Sequence, residues 1–126
     1  MNRLIFETIK SDLEAFVPSL KIVLNNESYS PAIRETYLRV FLEPSQTRQQ
    51  SYGESRQISF EGFFTVEVNQ FSGVNENVLV DSLVERYLKI NTINNVWILN
   101  CIRQPSTTED GRIRTNIRIN YQGVRQ

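Results

Sequence analysis

The sequence predicts an α+β domain: an antiparallel β-sheet of four to five strands with two helices packed mainly on one face. Three observations predict it. Residues 3–17 and 75–89 repeat their apolar side chains at helical spacing. Residues 57–69 and 112–121 alternate apolar and polar side chains at strand spacing. Strands follow strands, with the helices set apart, which suits an antiparallel sheet better than a βαβ alternation.

The first helix carries Ile5, Ile9, Leu13 and Phe16 on one stripe, widened by Leu4, Phe6 and Val17. Glu7, Lys10, Asp12 and Glu14 take the wet side. Asn2 is placed to cap the helix and Pro18 to stop it. A short strand is expected at 20–24, then turn residues to Pro31. In the strand at 36–42, Leu38, Val40 and Leu42 share one face, and Tyr37, Arg39 and Phe41 the other. Pro44 to Arg56 reads as a polar loop with a single aromatic, Tyr52.

The clearest strand follows. Ile58, Phe60, Phe64, Val66 and Val68 alternate with polar residues that include Glu61 and Glu67. Gly62 falls on the apolar face and predicts a bulge, a bend or a close approach; Phe63 falls on the polar face. A strand this long suits an extended ribbon with a neighbour. The second helix has Asn75 as its N-cap and an apolar face of Leu79, Val80, Leu83, Val84, Tyr87 and Leu88. Residues 96–103 are nearly all apolar at first, so both faces of that strand are expected to be covered. Asp110-Gly111 signals a hairpin turn. In the last strand, Ile113, Thr115, Ile117, Ile119 and Tyr121 alternate with a polar ladder that includes Arg112, Arg114 and Arg118.

At 126 residues the chain is one domain, 1–126, large enough for a single core. Fourteen Lys and Arg balance fourteen Asp and Glu. Zero net charge counts against a general nucleic-acid or membrane-surface binder. Eleven of the fourteen basic residues are Arg, the cation favoured at protein interfaces, although a host bias in composition accounts for this equally well. The first residues lack a signal peptide's apolar run, and nothing approaches the ~20 apolar residues of a membrane span. The expectation is a protein made and used in the cytoplasm, or in something assembled there.

Enzymatic readings find little support. There is no His, the commonest general base and metal ligand. Cys101 is alone, in an apolar strand, and reads as a small packed side chain rather than a nucleophile. Glu109 and Asp110 are adjacent carboxylates, but in a turn. No phosphate loop, dinucleotide fingerprint or metal-ligand spacing occurs, so no cofactor or metal is expected. The arginine ladder admits three readings. It is a wet sheet face paired with Glu61 and Glu67, a surface that meets another protein, or a phosphate track on which Phe63 or Tyr52 stacks bases.

The run Lys21 to Pro31, with Glu35-Thr36-Tyr37-Leu38-Arg39-Val40 after it, resembles the opening of small tail-terminator proteins of long-tailed bacteriophages. Arg56 to Val68 is similar to that family's glycine-containing extended strand, and Gly73 to Leu88 to its helix. The likeness covers nearly the whole chain. Leu24 stands where many relatives carry Trp.

The resemblance implies a structural virion protein. It would form a homo-oligomeric ring, usually a hexamer, at the head-proximal end of the tail. The ring stops tube polymerisation and offers a surface for head attachment. Its partners would be the tail tube protein and the head-tail connector, with DNA passing through unbound. Expected interface residues are Arg48 and Tyr52 in the loop Gln46–Ser55, Glu61, Phe63 and Glu67 on the long strand, and Arg112, Arg114 and Arg118, which would meet carboxylates across a subunit boundary. The alternatives are another neck or completion protein, or a single-stranded nucleic-acid-binding module.

Overall fold

The computed structural model describes residues 2–24, 27–31, 35–42, 46–49, 58–71, 76–93, 96–109 and 111–125. The apolar stripes fold into α1 (Asn2–Phe16) and α2 (Glu76–Lys89). The strands are β1 (Lys21–Leu24), β2 (Tyr37–Leu42), β3 (Gln46–Gln49), β4 (Ile58–Phe71), β5 (Thr92–Ile93), β6 (Val96–Arg103), β7 (Thr107–Glu109) and β8 (Arg112–Arg125). Pro18 has no N–H to continue α1; Val17 N–H makes a last helical bond to Leu13 O at 2.8 Å.

The fold is α+β, with more strands than the alternation suggested. One eight-stranded sheet runs β1-β2-β4-β8-β6-β5, with β3 also on β4 and β7 also on β8. It is mixed, because β1 and β2 are parallel. A parallel pair needs a crossover, and the turn residues after β1 provide it. The expected polar loop is partly strand: Gln46 to Gln49 pair with Glu61 to Ile58. Ladder bonds come from backbone, so a segment with no apolar period can still pair with a long neighbour. The two-residue β5 was likewise hidden inside a polar turn sequence.

The extended ribbon is present. β4 and β8 pair in unbroken register from Ile58↔Arg125 to Phe71↔Arg112. Of the bulge, bend or close approach expected at Gly62, the bulge is absent; Gly62 faces Tyr121 in regular pairing. The irregularity falls in β6 instead, between Ile98 and Asn100, where Leu99 is the extra residue against β8.

One face of the sheet carries the core. Leu38, Val40, Phe64, Val66, Val68, Ile117, Ile119 and Tyr121 are buried with Ile9 and Leu13 of α1 and Val80, Leu83 and Tyr87 of α2. Phe64 stacks edge-on against Tyr87, ring centroids 5.9 Å apart. Both helices thus lie on this inner face.

Asp12, expected on the wet side of α1, instead points at α2. Its side chain is 10% exposed. It accepts hydrogen bonds from Arg86 Nε at 3.2 Å, from Arg86 Nη2, and from the Tyr87 hydroxyl at 3.0 Å. The Arg86 guanidinium also lies 4.7 Å from the Phe16 ring centroid. Helical spacing could not show this, because the partner sits 74 residues away.

Candidate assembly interface

Among the described residues, the sheet's other face has no helix on it. Period-2 geometry sends residues of opposite parity to the core there: Tyr37, Arg39 and Phe41 from β2, Glu61, Phe63, Thr65 and Glu67 from β4, and Arg114, Asn116, Arg118 and Asn120 from β8. Of the expected interface residues, Glu61, Phe63, Glu67, Arg112, Arg114 and Arg118 share this outer face. Arg48 lies in β3 with its backbone opposite Ser59. Tyr52 lies outside the described residues.

Their contacts differ from a simple charge ladder. Arg118 faces Thr65, and so has both Phe63 and Glu67 as diagonal neighbours on β4. Its guanidinium lies over Phe63, 3.7 Å from the ring centroid. Glu67 Oε1 instead accepts from Asn69 Nδ2 at 2.9 Å. Arg114 meets Glu109 Oε2 at 3.5 Å, an exposed contact of small energetic weight. Arg112 Nη1 donates to Glu35 O at 2.9 Å, and its guanidinium lies 5.6 Å from the Tyr37 ring centroid.

The crossover between β1 and β2 is held to this face. Arg39 Nη1 donates to Leu24 O at 3.2 Å and Glu27 O at 2.8 Å. Tyr29 packs edge-on against Tyr37, centroids 5.1 Å apart, and donates its hydroxyl to the Glu35 carboxylate. That bond to a carboxylate is the main cause that raises the Tyr29 phenol above its ordinary range. The result is a groove of about 640 Å³ walled by Tyr29, Pro31, Tyr37 and Phe41, with Arg39 and Arg112 among its polar residues.

At the far end of the same face the structure overturns an expectation. Both faces of β6 were expected to be covered. Its inner face packs on the core through Val96, Ile98 and Cys101. Its outer face is open: Trp97 and Leu99 are each 55% exposed and Ile102 is 50% exposed. An apolar run does not by itself show that both sides of a strand are covered, because roughly half of a protein's surface is apolar. The bulge at Leu99 sets the phase. Before it, Val96 and Ile98 face inward; after it, Cys101 does, and Ile102 turns out. Arg103 reaches α2, where it donates to Asn77 Oδ1 at 2.9 Å and meets Asp81 at 3.4 Å. Sequence reasoning missed this stripe; its one available signal was the apolar run itself.

Cys101, on the other side of β6, has its thiol pushed up to about 11 by burial, the reverse of an activated nucleophile. Among the described residues, no group of three or more Cys, Asp or Glu side chains is placed to hold a metal ion. No helix among them is long and apolar enough to cross a membrane.

Comparison with known proteins speaks to architecture alone. A solved structure whose name makes no statement of function superposes with a TM-score of 0.66. The match covers 98% of this chain and 95% of the other, at 21% sequence identity. No protein-family model matches the chain, and no curated protein does.

Proposed function

We propose that this chain is a non-enzymatic assembly subunit, a phage tail terminator. It forms a homo-oligomeric ring, hexameric as in the family it resembles, on the head-proximal end of the tail tube. There it stops tube growth and presents the surface for the head-tail connector, while DNA passes through the central hole. Its place is the virion, after assembly in the host cytoplasm.

The observation that supports this reading is the open outer face. Among the described residues, one side of a large sheet is left without helices, and it carries stacked Arg and aromatic side chains, carboxylates and half-exposed apolar residues. That mixture is typical of surfaces that meet other proteins. A phosphate track is dominated by cations. Here Glu61, Glu67 and Glu109 stand among Arg39, Arg112, Arg114 and Arg118 and nearly balance them, which disfavours the nucleic-acid alternative. The other alternative, a different neck protein, separates by location. A terminator co-purifies with tails from a headless mutant, and a head-completion protein with filled heads from a tailless one.

The decisive experiment is negative-stain microscopy of the purified protein at high concentration, with sedimentation velocity beside it. Rings with a central hole are expected. A strictly monomeric profile with and without divalent cations overturns the reading.

A further inference from the structure

We draw no further inference here: the strongest candidate, the half-exposed Trp97–Leu99–Ile102 patch on the outer face of β6, carries nothing because nothing in the structure shows what covers it.

Discussion

The Tyr87 hydroxyl donates to Asp12 Oδ2 at 3.0 Å, joining α2 to α1 above the core. Asp12 also takes both bonds of the Arg86 guanidinium, so one carboxylate holds two neighbouring residues of the other helix. Truncation to Asp12→Ala leaves a buried phenol and a half-buried cation without that acceptor. Unfolding free energy should fall by about 2 kcal/mol, and by about 1 kcal/mol for Tyr87→Phe, which removes one donor. Urea denaturation measures both. A loss under about 0.5 kcal/mol for Asp12→Ala would mean that apolar packing alone docks the helices.

Stability should weaken on the alkaline side. Burial raises the Cys101 thiol from an ordinary 9.0 to about 11. Burial, then the charge of Asp12 and the bond to it, raise the Tyr87 phenol well above its ordinary 10.0. The folded state therefore keeps protons that the unfolded chain releases. Both contributions are fully present below pH 9 and are lost as pH rises beyond it. Thermal midpoints should decline above about pH 9. In Cys101→Ser the onset should move toward pH 10, where the Tyr87 contribution begins. An unchanged onset in that variant would remove Cys101 as a source.

Gly111 has φ +75°, in the two-residue link between the closing pair Glu109↔Arg112 of the β7–β8 hairpin. A Cβ there meets nothing within 4 Å, so the penalty is conformational rather than steric crowding by neighbours. Gly111→Ala should cost about 1 kcal/mol and Gly111→Asn less, since Asn tolerates left-handed backbone. Equal melting of the two variants would contradict this.

Phe63 and Arg118 separate stability from assembly. Their stack is worth about 0.5–1 kcal/mol at a surface site, so Arg118→Ala should barely move the melting midpoint. If the outer face is a subunit boundary, the same variant lowers the yield of rings in micrographs. Arg118→Lys keeps the charge and loses the planar stack. It should resemble Arg118→Ala if stacking matters, and the parent if charge does.

Much of the fold could be read from residue order. The stripes of Ile9 and Leu13, and of Val80, Leu83 and Tyr87, placed both helices on the core. The alternation from Phe64 to Val68 and from Thr115 to Tyr121 placed the two long strands and sorted Phe63, Glu67, Arg114 and Arg118 onto the opposite face. β3 was missed because ladder bonding leaves no mark in a polar sequence. Gly62 suggested a bulge, a bend or a close approach, and a bulge is found instead at Leu99 of β6, where no glycine marks it.

Periodicity is a local property, so the chain alone determined which side of each helix and strand turns from water, and with it the α+β class, the 3.6 and 2.0 repeats and the Asp110-Gly111 turn. Tertiary structure decided what lies across from each side. It put Asp12 beneath Arg86 and Tyr87, turned Arg118 to Phe63 rather than to Glu67, and left Trp97, Leu99 and Ile102 open. The physical reason is range: hydrophobic burial responds to any apolar neighbour, whereas a hydrogen bond, a ring stack or a strand edge depends on which distant residue arrives within a few ångströms.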